Sequence, residues 1–131
     1  MIIDTSALVA IITGEPEADR LLTAIAEAES ARMSAATYVE CAIVIDRRSS
    51  PATRRRFDQL LTTLEIGIAD LTADQAQIAR EAHRDFGRGS EGRARLNLGD
   101  CYSYALAVAS DDELLFQGDD FSATDIVAAR Y

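Results

Sequence analysis

The chain contains no lysine and no tryptophan, one histidine, two prolines and two cysteines. With no lysine, a P-loop, a Schiff base and a Ser-Lys dyad are excluded. The two thiols, Cys41 and Cys101, make no CxxC and no Cys/His cluster, so neither a zinc site nor a disulfide framework is indicated, and both read as small buried hydrophobes. His83 lies among Ala, Arg and Glu with no local nucleophile, so it reads as a surface or boundary residue rather than a triad member. No apolar run approaches the roughly 20 residues of a membrane span, and Asp4 arrives too early for a secretion signal. A cytoplasmic protein with no membrane association is the expectation.

What is present is ordinary globular composition: 131 residues, 48% hydrophobic and 27% charged. That length suits a single domain over 1–131 able to bury a real core. The 13 bases, all arginine, are outnumbered by 22 acids, which leaves a net charge of −9. This balance argues against broad electrostatic adhesion to nucleic acid or anionic lipid, although not against a local basic patch.

Short apolar runs alternate with helical patterns. Met1–Asp4, Ala31–Met33, Glu65–Ala69 and Leu114–Phe116 read as strands, and Asp125-Ile126-Val127 as a last edge strand. Helices are expected over Ala7–Thr13, Glu15–Ser30 with Pro16 in its first turn, Ala35–Arg48 after Ser34, Pro51–Thr63, Thr72–Phe86 and Leu98–Ser110. Gly87–Asn97 reads as a loop. The alternation predicts an α/β fold with a mainly parallel sheet.

Most of the acids read as solvated faces or turns, but four places differ. Asp4 closes the first strand, where α/β sheets bind ligands, although it could equally cap the next helix. Glu40 interrupts the core stripe Tyr38, Cys41, Ala42 and Ile45, which Val39, Ile43 and Val44 would widen. A carboxylate there needs an arginine, a proton or a cation. Asp100 opens the last long helix, again a capping position. Asp119 and Asp120 form a turn after an apolar strand. Taken together, acids at strand ends and helix starts can converge on one sheet edge, and such a cluster suits Mg²⁺ or Mn²⁺ and phosphodiester hydrolysis.

Four blocks, in order, carry a resemblance. Met1-Ile2-Ile3-Asp4-Thr5-Ser6-Ala7-Leu8, Tyr38-Val39-Glu40, Leu96-Asn97-Leu98-Gly99-Asp100-Cys101-Tyr102-Ser103-Tyr104-Ala105-Leu106-Ala107 and Leu114-Leu115-Phe116-Gln117-Gly118-Asp119-Asp120-Phe121 resemble PIN-domain ribonucleases, specifically the VapC-type toxins of VapBC toxin–antitoxin systems. The resemblance implies a three-layer α/β/α sandwich and a Mg²⁺-dependent endoribonuclease, with Mn²⁺ as a substitute. It also implies a homodimer, held in check by a VapB-type antitoxin. Asp4, Glu40, Asp100 and Asp120 would be the catalytic acids, with Asp4 and Asp100 binding the metal and Asp119 as the alternative to Asp120. Thr5 or Ser6 would hydrogen-bond the site, and Asn97 would steady the loop before Asp100. Arg84, Arg88, Arg93 and Arg95, or Arg47, Arg48 and Arg54–Arg56, would meet RNA phosphates.

Two other readings compete. A haloacid-dehalogenase-like phosphatase or receiver domain also puts an Asp at a strand end. The phosphatase pattern wants a second Asp where Ser6 stands, and receivers and most such phosphatases need a lysine. A catalytically silent PIN-like module that binds RNA or a partner would retain binding without metal-dependent cleavage.

Overall fold

A computed structural model describes residues 1–48 and 50–131, without the side chain of Arg48. Four short strands, β1 (Ile2–Ile3), β2 (Arg32–Ser34), β3 (Gly67–Ala69) and β4 (Leu114–Leu115), form one sheet in the order β3-β2-β1-β4. Every pairing in it is parallel. Among the described residues six helices fill the connections: α1 (Thr5–Thr13), α2 (Ala18–Glu27), α3 (Ala35–Arg48), α4 (Pro51–Thr63), α5 (Ala73–Phe86) and α6 (Leu98–Ser110).

Successive strand residues point to opposite faces, so β1 and β4 feed two cores. Ile3, Met33 and Leu115 pack with α1 to α4, including Leu8, Leu21, Cys41, Ile45 and Phe57. Ile2 and Leu114 pack with α5 and α6, around Leu96, Cys101, Leu106 and Phe121. Helices on both faces of a parallel sheet make the expected three-layer sandwich. Both cysteines are free and buried.

Local signals set most boundaries. Gly14 ends α1 in the left-handed conformation, φ 71°. Ser50 and Thr72 cap α4 and α5 through their hydroxyls. Asn97 and Asp100 form a reciprocal capping box at the start of α6.

Three expectations need correction. The second helix is shorter than Glu15–Ser30. The Ala18 N–H reaches back only three residues, to the Glu15 carbonyl, so Pro16 lies in a turn ahead of the α-ladder. At the other end Ala28 is extended and stops the helix. Asp125–Val127 is not a strand: Leu114 alone bridges Ala128, through bonds to the Val127 carbonyl and the Ala129 N–H. Asp125 instead accepts from the Tyr104 hydroxyl at 2.6 Å. Finally, Val39 (52% exposed) and Ile43 (45%) face away from the core, so they do not widen the α3 stripe.

The strand order places the site. From β1 the chain steps to β2 and β3, then crosses back to lay β4 on the other side of β1. The crevice outside the carboxyl ends of β1 and β4 is therefore a topological switch point. Asp4 and the segment Gln117–Asp120 leave the sheet there.

Candidate active site

Asp4 is 2% exposed and serves two purposes. It caps α1, its Oδ2 accepting from the Ser6 N–H at 2.9 Å and the Ser6 hydroxyl at 2.7 Å. Its Oδ1 accepts from the Ser103 hydroxyl on α6 at 2.6 Å. The Ser6 hydroxyl in turn accepts the Gln117 N–H at 3.0 Å, which pins the β4 loop to the β1 end.

Glu40 stands half-buried on α3. Among the described residues no arginine pairs with it. Its partner is the Thr5 hydroxyl, which donates to Oε2 at 3.3 Å. The carboxylate lies directly over Gly99, where even a Cβ would collide with it. Burial raises the Glu40 pKa above the usual carboxylate range, and the Asp4 charge adds to this, against the Thr5 bond.

Asp100 is 8% exposed. Its Oδ2 accepts the Asn97 N–H at 2.7 Å, and its own N–H donates to Asn97 Oδ1 at 3.0 Å. Burial pushes its pKa up to about 7; the Asn97 bond opposes this, and the charges of Asp4, Asp120 and Glu40 reinforce it. These four carboxylates thus share one electrostatic neighbourhood. Asp120 is exposed on the turn after Gly118 (φ 99°). Its charge is felt at Asp100, whereas Asp119 is not among the groups that shift it. Burial and the charges of Asp4 and Glu40 push the neighbouring Cys41 thiol up to about 12, which keeps it unreactive.

The donor set is all oxygen and carries no arginine counter-charge, which fits a hard divalent cation. Among the described residues, no three His, Cys, Asp or Glu side chains stand close enough as placed to share one ion. Bringing the acids onto one cation therefore takes side-chain rotation, for which Asp120 on its exposed turn is free. Asp4 is held on both oxygens.

The arginines divide. Arg84 pairs with Asp85 at 2.7 Å. Arg88 and Arg95 donate to loop carbonyls and shape Gly87–Asn97 rather than stand free. Arg47, Arg54, Arg55, Arg56 and Arg93 are exposed, with no ion pair among the described residues. The side chain of Arg48 lies outside the described set.

Sequence reading missed Thr37, Gly99 and Ser103. Their signal was helical spacing: Thr37 is one turn before Glu40 and Ser103 one turn after Asp100, so each hydroxyl shares its acid's helix face.

The PIN-domain family model matches residues 1–127. Ribonuclease VapC42 of Mycobacterium tuberculosis is 51% identical over 126 residues, 96% of each chain. Among solved structures, M. tuberculosis VapC20, described as a sarcin–ricin loop cleaving toxin, superposes with a TM-score of 0.76 at 19% identity, covering 99% of this chain and 98% of that one. A toxin–antitoxin complex from Klebsiella pneumoniae gives a TM-score of 0.73 at 21% identity, over 99% and 97%. The two superpositions show the shared fold. With the family model over nearly the whole length and half the residues identical to a ribonuclease relative, the chain belongs to the PIN-domain family, among the VapC ribonucleases.

Proposed function

We propose that this protein is the toxin of a type II toxin–antitoxin pair and cleaves RNA internally with a divalent ion, Mg²⁺ or in its place Mn²⁺. Asp4, Glu40, Asp100 and Asp120 are its catalytic acids, and Asp4 and Asp100 hold the ion. The observation that carries this reading is that Asp4, Glu40, Asp100 and Asp120 lie around the switch point, where burial pushes the Asp100 pKa up to about 7 and the charges of the other three add to the rise. Like charges packed this way, without arginine, are stable together only when a proton or a cation joins them.

A bound divalent ion supplies an acidified water and neutralises charge on the phosphodiester. The chain's residues do the rest. Ser6 and Ser103 orient Asp4, and the Asn97 box orients Asp100. Glu40, half-buried with its pKa raised, is suited to accept a proton from the attacking water. Asp120 reaches the cluster from the solvent side. The exposed Arg93 and Arg54–Arg56 give an otherwise acidic protein its phosphate contacts.

The antitoxin partner is supported by the fold shared with the Klebsiella complex. A homodimer is supported by apolar side chains left in solvent beside the Glu40–Gly99 contact: Val39, Ile43 one turn on, and Leu98 at 60% exposure. Among the described residues no helix is long and apolar enough to cross a membrane.

The test is incubation of the purified protein, free of antitoxin, with total cellular RNA at low salt. Discrete fragments with Mg²⁺ or Mn²⁺ and none with EDTA are expected. Intact RNA with both ions, from folded protein, overturns the reading.

A further inference from the structure

Thr37 and Ser103 are both wholly buried, and their hydroxyls meet at 3.1 Å. A buried hydroxyl is costly unless it is hydrogen-bonded, and these two are satisfied by each other and by Asp4. Their bonding order follows from what each atom can give. An ionised carboxylate only accepts, so the single Ser103 proton goes to Asp4 Oδ1 across 2.6 Å. Thr37 must then be the donor to Ser103, and the line runs Thr37 to Ser103 to Asp4. The backbone carbonyl of the same Thr37 lies 3.5 Å from the Thr5 hydroxyl, which donates to Glu40. One residue of α3 thus borders the supports of both Asp4 and Glu40.

The other side of Asp4 is equally committed. Oδ2 takes two bonds from Ser6, which uses both of its lone pairs, and Ser103 takes one of the two on Oδ1. We infer that Thr37 and Ser103 are positioning residues that lock the Asp4 carboxylate between α1 and α6, leaving a single open lone pair on Oδ1 for a cation. This rests on the proposed metal-dependent reading. Loss of the Ser103 hydroxyl leaves Oδ1 without its bond, so the carboxylate is held only through the Ser6 bonds on Oδ2 and its open donor is less sharply aimed. Hydroxyls that orient a metal-binding group are worth about 10–100-fold in metal affinity or activity.

The experiment is calorimetric titration of the protein with Mn²⁺, without RNA, alongside cleavage kinetics. Ser103→Ala is expected to melt within a few degrees of the wild type, to bind Mn²⁺ about 10–100-fold more weakly, and to lose kcat with an unchanged KM for RNA. Wild-type Mn²⁺ affinity and kcat in Ser103→Ala would overturn the inference. Should Ser103→Ala not fold, the isosteric Thr37→Val replaces it: it should weaken Mn²⁺ binding while Thr37→Ser, which keeps the hydroxyl, restores it. Equal behaviour of those two variants would also overturn it. Asp4→Asn, titrated in parallel, separates the two levels. If Asp4→Asn loses Mn²⁺ and Ser103→Ala does not, only the positioning role fails. If the wild-type protein takes up no Mn²⁺, the metal-dependent reading fails and the inference with it.

Discussion

Alanine at Gly99 should separate activity from stability. The added methyl would occupy the space of the Glu40 carboxylate. The carboxylate is the flexible end of a side chain whereas Gly99 is in the first turn of α6, so Glu40 gives way. Its 3.3 Å bond from Thr5 is then lost, at a cost of about 0.5–1.5 kcal/mol. Replacing glycine by alanine in a helix returns up to about 1 kcal/mol. The net change is within about 1 kcal/mol, a shift of no more than roughly 5 °C in melting temperature for a chain of this size. The chemistry has no such compensation. Displacement of a catalytic carboxylate by about 1 Å costs on the order of 10²-fold in rate. The assay is a thermal melt by circular dichroism beside initial rates of RNA cleavage in Mg²⁺. Gly99→Ala that melts normally and cleaves within a few-fold of the wild type would refute the placement of Glu40 in the reaction.

Asp100 carries a pH dependence whose sign follows from its shift. Its folded pKa of about 7 exceeds the ordinary value of 3.8, so its stabilising contribution is complete below about pH 4 and is lost as pH rises through 7. The melting temperature of EDTA-treated protein should therefore fall between about pH 4 and 7 and level off above, less steeply in Asp100→Asn; an equal slope in both would exclude the shift. Since a cation must displace that proton, Mn²⁺ affinity should drop by about tenfold per pH unit below 7 and level off above it, a profile that titration calorimetry would show or deny. Asn97→Ala removes the acceptor for the Asp100 N–H and should cost about 1 kcal/mol, read as a lowered melting temperature that Asn97→Ser recovers.

The fold was legible where its determinants are local. Ser34, Pro51 and Thr72 mark helix starts by chemistry that acts within three residues, and the ranges of α3, α4 and α6 agree with expectation. The early end of α2 at Ala28 was not legible, because no glycine or proline marks it. Nor was the exposure of Val39 and Ile43, which depends on where α6 crosses α3. The four acids could be picked out singly, yet Asp4, Asp100 and Asp120 each also had a capping or turn explanation, and Glu40 had an arginine pair as its ordinary alternative. Asp4 and Asp100 turn out to be caps and cluster members at once, so the two readings were never exclusive. What no local pattern conveys is pairing across the fold. Ser103 reaches Asp4 over 99 positions, and Gly99 is required by a glutamate on another helix.

The central claim, that acids gathered at the β1–β4 switch point cleave RNA, is tested most directly by the cleavage rate of Asp4→Asn on total RNA with Mg²⁺. Asparagine can keep the Ser6 bonds with its carbonyl and donate its amide to Ser103, so the variant should fold and melt like the wild type. It lacks the charge proposed to hold the ion. Folded protein with no cleavage is the predicted result; cleavage at the wild-type rate would contradict the account.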